Sequence, residues 1–248
     1  MEVSAKKVAA AITVLNEAGN IEPIIKSFSN ISRSGNGWVL NEIVFIDGGS
    51  TDGTLEMIRA NAESIPGIAI RVVSQTVKPG TCPATVEASS TIKADWTIVM
   101  DGDLQHPVET IPEMLNRKAS GYDVVVASRY VRGGDYRRTI SRGLISKVAE
   151  IIARFLVPGT KNLKDPLSGY FVCDSHLIRN LRPLPGTYKI LLYVIASYPS
   201  LKVAEIPYYF LERKYGKSKV TDRSTHFMRR YLKEVRIYRR IGSTVKKC

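Results

Sequence analysis

Five short apolar runs, separated by segments with helical patterning, dominate the first half of this 248-residue chain. Each run is short and rich in β-branched residues, which is typical of strands buried on both faces. Strands that alternate with helices usually pair in parallel, because each helix returns the chain to the same end of the sheet. The pattern therefore predicts an α/β fold with a mostly parallel, doubly wound sheet flanked by helices. The runs cover residues 8–14, 42–47, 69–74, 95–100 and 122–127.

The helical segments and the second half of the chain complete this prediction. We expect helices over 20–34, with Pro23 in the first turn, and over 51–62, 85–93, 107–120, 137–157 and 225–240. A loop and short strand are expected over 165–174, and an edge strand over 202–210, which contains Pro207. The sequence divides most simply into a domain over 1–220 and a basic amphipathic helix and tail over 221–248.

Two of these helices are amphipathic in ways that bear on where the protein acts. The stripe on 137–157 consists of Ile140, Leu144, Val148, Ile151 and Phe155. The final helix spaces its apolar residues at helical intervals among many Lys and Arg, which suits a membrane surface or a membrane-embedded partner subunit. Packing of both helices on the protein core is the alternative. The apolar residues of the final helix are Phe227, Tyr231, Val235 and Tyr238.

Charge and composition narrow the class of protein. A formal net charge of +13 indicates an anionic partner, such as nucleic acid, anionic lipid or a phosphorylated substrate. Three widely spaced cysteines form neither a disulfide framework nor a zinc pattern, so we expect free thiols in a reducing compartment. The longest charge-free apolar stretch, 190–201, contains Pro199 and is shorter than the ~20 residues of a spanning helix. We therefore expect no membrane crossing within the chain.

An acidic motif directly follows the apolar run that ends at Met100. Its carboxylates, Asp101 and Asp103, can reach one cation if the chain turns there, and Gln105 can add a neutral oxygen. Oxygen ligands of this kind suit Mg²⁺ or Mn²⁺. An acidic pair with no adjacent basic residue is costly without a cation, although a plain structural turn is the alternative. We expect His106 to shape the turn rather than to bind the metal.

Other polar motifs follow strands at the same predicted edge. Glu17 comes after the first strand and Asp47, in a glycine-rich turn, after the second; either could hold a nucleoside. The alternatives are an exposed loop carboxylate and an ordinary turn in which Asp52 caps a helix. Ligands in doubly wound sheets bind at the carboxyl ends of the strands, where these motifs coincide. Basic residues that could bind phosphate, or simply face solvent, cluster at 128–130, 137–142 and 212–219.

Taken in order, these motifs resemble the family 2 glycosyltransferases with the GT-A (Rossmann-like) fold. The resemblance extends from about residue 8 to 219 and is strongest to the polyprenyl-phosphate glycosyltransferases, such as the dolichyl-phosphate mannose synthases. Many relatives continue into transmembrane helices after the last motif. The motifs are Asn16-Glu17, IDGGSTDGT (46–54), MDGDLQHP (100–107), ASRY (127–130), SRG (141–143), DPLSGY (165–170) and ERKYGKSK (212–219).

The resemblance implies a role for each motif. Glu17, Asp47 and Asp101 would bind the donor nucleotide, and Asp101, Asp103 and Gln105 would hold Mg²⁺ or Mn²⁺. The acceptor phosphate would be bound by Arg129, Arg138, Ser141 and Arg142, and the loop with Asp165 and Ser168 would shape the acceptor side. Arg213 and Lys219 would grip phosphate groups and help to close the site. The residues expected to act in catalysis are Asp103, Arg129, Arg142, Arg213 and Lys219.

The resemblance also implies a reaction and its setting. We expect inverting transfer of a sugar, with mannose from GDP-mannose as the first choice, to dolichyl or another polyprenyl phosphate at the cytoplasmic face of a membrane. A UDP-sugar such as UDP-glucose as donor, or a soluble glycan as acceptor, is the alternative; a hydroxyl acceptor would need a base carboxylate. A nucleic-acid-binding protein is a third reading, but we see no recognised binding module for nucleic acid in the sequence.

Overall fold

The computed structural model describes residues 4–31, 33–35, 37–77, 79–134, 140–211 and 224–245. For 140–145 and 224–226 it describes the helical backbone alone. Within these ranges, a single sheet of eight strands has the order β2-β3-β1-β5-β7-β6-β8, and β4 also pairs with β3. The strands are β1 (Lys6–Val14), β2 (Ser34–Gly35), β3 (Trp38–Asp47), β4 (Ala69–Ser74), β5 (Trp96–Asp101), β6 (Val124–Ser128), β7 (Phe171–Asp174) and β8 (Val203–Pro207).

The five predicted apolar runs are all strands of this sheet. β1 pairs in parallel with β3 and β5, β3 with β4, and β6 with β8. β7 is antiparallel to both β5 and β6 and lies between them. Its first residue, Phe171, pairs with Val99 close to the carboxyl end of β5. The loop that precedes β7 is thereby brought to the edge of the sheet where the acidic motifs lie.

All six predicted helices are present in the predicted order, but their ends differ, and two further helices, α6 and α7, were not predicted. α1 ends at Ser29 rather than 34, because Ser34 already pairs in β2. α3 begins at Thr81, four residues before its predicted start, and Pro83 occupies its first turn, where a missing N–H costs no helical bond. The helices are α1 (Ala18–Ser29), α2 (Thr54–Ala60), α3 (Thr81–Ser89), α4 (Ile111–Ala119), α5 (Ile140–Leu156), α6 (Ser175–Arg179), α7 (Ile190–Ser197) and α8 (Ser224–Val245).

The apolar face of α8 belongs to the protein core. Tyr231, Val235 and Tyr238 are at most 2% exposed and pack in one cluster with α7 and the buried side of α5. The prediction that these residues face a membrane or a partner subunit is therefore wrong. Packing of α8 on the core removes its apolar face from water just as a membrane would, and the core is part of the same chain and so is always available.

Helix α5 shows the opposite arrangement. Its fully buried core contacts are small residues, Ala149 and Ala153, and Ile152 and Leu156 pack partly buried against the same cluster. The three residues of the predicted stripe whose side chains are described point away from the core: Val148 is 42%, Ile151 41% and Phe155 84% exposed. We call these three residues the α5 apolar face. Across the described residues, no helix is both long enough and apolar enough to cross a membrane.

The two cysteines within the described residues are buried free thiols, as the cysteine count predicts. Cys82 lies in α3 and Cys173 in β7. Burial raises the pKa of Cys82 to about 12, so its thiol is not a nucleophile near neutral pH. We assign the two thiols a packing role.

Candidate active site

The acidic motifs meet at the carboxyl edge of the sheet, as predicted. Backbone hydrogen bonds link the strand ends directly: Gly48 N–H donates to Val14 O (2.9 Å) and Gly102 N–H to Thr13 O (2.9 Å). The chain after β4 joins the same row, because Gln75 N–H donates to Asp47 O (2.9 Å). Three loops with carboxylates therefore border one surface.

Glu17 and Asp47 are held in place by their own loops. Asp47 is 2% exposed and accepts hydrogen bonds from Gly49 N–H (2.9 Å) and Ser50 N–H (3.1 Å), which fixes the glycine-rich turn. Glu17 is 6% exposed and accepts a short hydrogen bond from the Asn20 amide. Asp52 accepts from Thr54 N–H (3.1 Å), but the N-cap position of α2 is Gly53, so Asp52 is not the helix cap that was predicted.

The turn with Asp101 and Asp103 is tight and well supported. Leu104 has a positive φ of 62°, which reverses the chain after Asp103. Asp101 Oδ1 accepts from the Thr13 hydroxyl (3.0 Å), and Asp103 Oδ1 accepts from Gln105 N–H (3.1 Å). Gln105 also donates from Nε2 to Leu211 O (3.1 Å), which ties this turn to the segment after β8.

His106 shapes this turn, as predicted. Its Nδ1 accepts a hydrogen bond from Asp101 N–H (3.0 Å), and its ring stacks on Tyr170 with centroids 5.0 Å apart. Burial lowers the pKa of His106, and the charges of Asp101 and Asp103 only partly oppose that shift. The imidazole is therefore neutral near pH 7 and holds the backbone at the acidic motif.

The residues of this turn fit a divalent cation with oxygen ligands. Among the described residues, no three His, Cys, Asp or Glu side chains cluster in a way that could hold a metal by themselves. Two carboxylates and an amide are the donor set of Mg²⁺ or Mn²⁺, ions that complete their coordination with water and substrate phosphates. Gly169 borders Asp101, since a Cβ at position 169 would lie 3.4 Å from Asp101 Oδ2. The missing side chain therefore leaves space beside this carboxylate for a ligand.

We predict that Gly102→Ala distorts this turn. A Cβ at position 102 would lie 2.5 Å from Val14 Cγ1 and 3.1 Å from Thr13 O. Overpacking of this kind costs about 1–3 kcal/mol, so thermal unfolding should occur roughly 3–10 °C lower. Gly48→Ala is the matched control at the same edge, since its Cβ would meet its nearest atoms at an ordinary 3.5 Å. Equal melting temperatures for the two variants would contradict the prediction.

Arg129 is paired with Asp165 at the end of β6. Its Nε and Nη2 donate to the two carboxylate oxygens at 2.7 Å each, and its backbone N–H donates to Asp165 Oδ2 (3.1 Å). The Arg129 side chain is 10% and the Asp165 side chain 0% exposed. Burial by itself would lower the pKa of Arg129, but the hydrogen bonds and charge of Asp165 outweigh it and raise that pKa. The arginine is therefore a fixed cation beside Ser128.

Lys189 is a further cation of this region that sequence reasoning did not assign. It directly precedes α7 and is half-buried. Burial lowers the pKa of its ammonium; Glu234, Asp101 and Asp165 oppose the shift, while Arg129 adds to it. The loop just before Lys189 is hydrogen-bonded to the segment after β4, at the same edge of the sheet. In the sequence, Lys189 is marked only by the stretch 188–192, which resembles the corresponding stretch of the family.

Several predicted site residues lie outside the described residues. Arg138, Arg213 and Lys219 are among them, as are the side chains of Ser141 and Arg142 at the start of α5. Their assignment to phosphate binding stays a prediction. The described part of the chain brings together the remaining predicted residues: Glu17, Asp47, Asp101, Asp103 and Gln105 along one edge, with Arg129 at the end of β6 of the same sheet.

Comparison with known proteins agrees with this geometry. The family model "Glycosyl transferase family 2" matches residues 10–180. The chain belongs to glycosyltransferase family 2. Solved structures support the GT-A fold: glucosyl-3-phosphoglycerate synthase from Mycobacterium tuberculosis, crystallised with Mn²⁺, UDP and glucosyl-3-phosphoglycerate, superposes with a TM-score of 0.69. The two chains are 21% identical, and the match covers 94% of this chain and 80% of the synthase.

Curated relatives of this family 2 chain include polyprenyl-phosphate enzymes. It is 32% identical to dolichol-phosphate mannosyltransferase of Pyrococcus furiosus, over 86% of this chain and 59% of that protein. The Saccharomyces cerevisiae dolichol-phosphate mannosyltransferase is 28% identical over 80% of this chain and 75% of its own length. The chain thus spans about three fifths of the archaeal relative. An undecaprenyl-phosphate 4-deoxy-4-formamido-L-arabinose transferase from Salmonella paratyphi B is 28% identical, over 86% of this chain and 62% of that protein.

Proposed function

We propose that this glycosyltransferase moves a sugar from a nucleotide-diphosphate donor to a polyprenyl phosphate, with inversion at the anomeric carbon. GDP-mannose is the first candidate donor, and a UDP-sugar such as UDP-glucose is the alternative. One observation supports this most directly. The acidic edge of the sheet suits a metal and a nucleotide, while a basic groove and an exposed apolar face lie together at α5, beside the end of β6 of the same sheet. A charged donor would require the acidic edge, and a lipid-linked acceptor would require the groove and the apolar face.

On the donor side, the proposal assigns each carboxylate to one part of the nucleotide sugar. Glu17 and Asp47 would contact the nucleoside, while Asp101, Asp103 and Gln105 would hold Mg²⁺ or Mn²⁺. When bound, such an ion neutralises charge that develops on the leaving diphosphate. Lys189 adds a positive charge from the loop before α7, which is hydrogen-bonded to the segment after β4. We propose that Lys189 contacts the donor diphosphate.

On the acceptor side, the structure offers positive charge around one buried carboxylate, Glu150. A groove of about 250 Å³ lies beside β6 and α5 and contains three cations among its lining residues. An acceptor phosphate is already an anion near neutral pH, since its second pKa is about 6, so it needs positioning rather than a general base. The groove is lined by Tyr130, Lys147, Glu150, Arg154 and Lys164.

The pairing of Asp165 speaks against the soluble-glycan alternative. A hydroxyl acceptor would need a carboxylate base, and Asp165 was the one sequence candidate outside the acidic motif. Both of its oxygens accept hydrogen bonds from Arg129, and the side chain is fully buried. A carboxylate held in this way is poorly suited to take a proton from a substrate. The same pair presents Arg129 as the fixed cation that we assign to the acceptor phosphate.

The α5 apolar face offers a surface for the lipid acceptor. Val148, Ile151 and Phe155 are exposed on the helix that also contributes Lys147 and Arg154 to the basic groove. An exposed apolar stripe flanked by cations suits the boundary between lipid headgroups and acyl chains. We propose that α5 rests on the membrane and that the acceptor phosphate enters the groove from there. The cytoplasmic face remains our prediction for the side, and attachment through a partner subunit is the alternative.

We predict that Phe155→Asp weakens binding to anionic vesicles. Full burial of a phenylalanine side chain is worth about 1.5–3 kcal/mol, so the partition coefficient should fall roughly 10- to 100-fold. Sedimentation with vesicles containing an anionic phospholipid measures this. Ile237→Asp on α8 is the comparison, because Ile237 is also partly exposed (39%) but lies on the helix whose apolar face is buried. A greater loss for Ile237→Asp would assign the contact to α8 instead.

Transfer of label tests the proposed reaction itself. The chain is incubated with radiolabelled GDP-mannose or UDP-glucose, polyprenyl phosphate in detergent, and Mn²⁺ or Mg²⁺, and the lipid phase is extracted and counted. Metal-dependent label in the lipid from one donor would establish the reaction and identify the donor. Intact nucleotide binding without label would redirect the search to other sugars, a soluble acceptor or a partner, and absent nucleotide binding would refute the proposal.

A further inference from the structure

Glu234 is the one acidic residue in the sequence of α8. The helix contains six Lys or Arg residues, which makes a single carboxylate conspicuous. The Glu234 side chain is nevertheless buried, at 3% exposure, and so does not serve as a surface partner for those cations. A carboxylate is costly to bury unless it is well hydrogen-bonded, so its contacts indicate what it does.

The contacts of Glu234 lie at the start of α7. Its Oε1 accepts hydrogen bonds from Tyr188 N–H (2.7 Å) and Lys189 N–H (2.6 Å), and from the Tyr238 hydroxyl (2.8 Å). α7 begins at Ile190, and Lys189 is its N-cap residue without a capping side chain of its own. Amide groups at a helix N-terminus carry partial positive charge, which an acidic group stabilises. Glu234 therefore supplies, from another helix, the cap that α7 lacks.

The segment that Glu234 holds is fastened to the donor side of the active site. Gly186 N–H donates to Pro79 O (2.6 Å), and Cys82 N–H donates to Thr187 O (3.2 Å). Gly80 permits this approach, because a Cβ there would lie 2.2 Å from Thr187 O. The partner segment follows β4 at the carboxyl edge of the sheet, where Gln75 Nε2 donates to Gly80 O (2.7 Å).

The backbone of Lys189 is fixed on both sides. Glu234 Oε1 accepts from the Lys189 N–H, and the loop just before it is hydrogen-bonded to the segment after β4. None of the ion pairs found among the described residues includes Lys189. A cation aimed by the backbone in this way needs less ordering when a phosphate binds.

We propose that Glu234 is a positioning residue of the active site, which holds residues 188–189 so that Lys189 meets the donor diphosphate. The inference rests on the proposed function, because it takes a nucleoside diphosphate as the ligand of Lys189. It makes α8 part of the nucleotide site rather than a separate basic tail. The helix would contribute chiefly through one buried carboxylate. Five of its six cations are exposed, and the sixth, Arg230, lies over the Tyr188 ring at 4.4 Å from the centroid.

A double-mutant cycle tests this coupling by nucleotide binding. The dissociation constant of GDP and of UDP is measured with Mn²⁺ for the unaltered chain, Glu234→Ala, Lys189→Met and the double variant. We expect each single change to weaken binding about tenfold, as loss of one charged contact does. The double variant should bind no more than about twofold more weakly than Lys189→Met, since coupled residues give non-additive effects.

Two further variants separate positioning from loss of stability. Glu234→Gln keeps an oxygen that can accept from both amides, so it should bind within about threefold of the unaltered chain. Tyr231→Phe removes a buried hydrogen bond of the same helix, from the tyrosine hydroxyl to Ala149 O (2.7 Å), away from α7, and should leave binding unchanged. If Glu234→Ala does not fold, the cycle is run with Glu234→Gln and Glu234→Asp, and binding must fall with the shorter side chain.

Other outcomes would overturn the inference. Losses that add in the double variant would mean that Glu234 acts independently of Lys189, and an equal loss in Tyr231→Phe would mean that α8 affects binding only through stability. If the unaltered chain bound neither nucleotide, the proposed function would fail and the inference with it. Nucleotide binding by the unaltered chain that is insensitive to Glu234→Ala would refute the inference alone.

Discussion

Replacing Asp103 with alanine is expected to abolish metal-dependent sugar transfer. Asp103 is 7% exposed and shares the turn with Asp101, so no other carboxylate of the motif can take its place. A divalent ion contributes several kcal/mol to stabilising charge on a leaving group, and a loss of about 4 kcal/mol corresponds to roughly a thousandfold in rate. The measurement is label transferred to lipid at saturating Mn²⁺, together with Mn²⁺-dependent nucleotide affinity.

Two variants make this result specific. Asp103→Asn keeps the size of the side chain and the oxygen that accepts from Gln105 N–H, so the turn should persist while the charge is lost. It should be nearly as inactive as Asp103→Ala. Asp95→Asn alters a carboxylate that precedes the same strand, at its opposite end, where it accepts from Lys7 N–H (2.8 Å). Activity in Asp103→Asn close to that of Asp95→Asn would exclude Asp103 from metal binding.

Breaking the Arg129–Asp165 pair is expected to have the largest effect on stability. Asp165→Ala would leave a guanidinium that is only 10% exposed without its bidentate partner. Removing one partner of a buried ion pair typically costs about 3–5 kcal/mol, which in a chain of this size lowers the melting temperature by roughly 6–20 °C. Calorimetry or thermal circular dichroism of the purified variant measures the shift.

A second pair in the same protein provides the comparison. Lys6 and Asp95 are 3.6 Å apart, but their side chains are 50% and 45% exposed. An ion pair in water is worth about 0–1 kcal/mol, so Lys6→Met should change the melting temperature little. The joint variant Arg129→Met/Asp165→Leu should recover stability without recovering activity, because it removes both buried charges together. Equal destabilisation by Asp165→Ala and Lys6→Met would show that burial does not govern the first pair.

The acidic edge of the site was predictable because it depends on local order along the chain. Apolar runs and the helices between them determine that the strands are parallel, and parallel strands bring their carboxyl ends to one edge. Glu17, Asp47 and Asp101 follow such ends directly, so their proximity needed no tertiary information. The five consecutive residues 101–105 contain both the predicted metal ligands and the glycine of the turn, so this candidate metal site could be predicted from one short segment.

The ends of the helices were less predictable, because neighbouring segments compete for the same residues. α1 ends early since Ser34 pairs in β2, and that pairing depends on a strand that comes later in the chain. α3 starts early because residues before it are held against the loop that precedes α7. Contacts between segments distant in sequence decide both limits, so local propensity alone could not give them.

The sequence by itself determined the class of fold, the five apolar strands with the helices between them, and the edge at which the carboxylates gather, but not β2, α6 or α7. Only the tertiary structure decided which amphipathic helix is covered: α8 is buried along Tyr231 and Tyr238, whereas α5 leaves Phe155 exposed. It also decided that Asp165 pairs with Arg129 and that Glu234 holds the start of α7. The physical reason is that a periodic pattern indicates which residues share one face of a helix. What that face contacts depends on the packing of the whole chain.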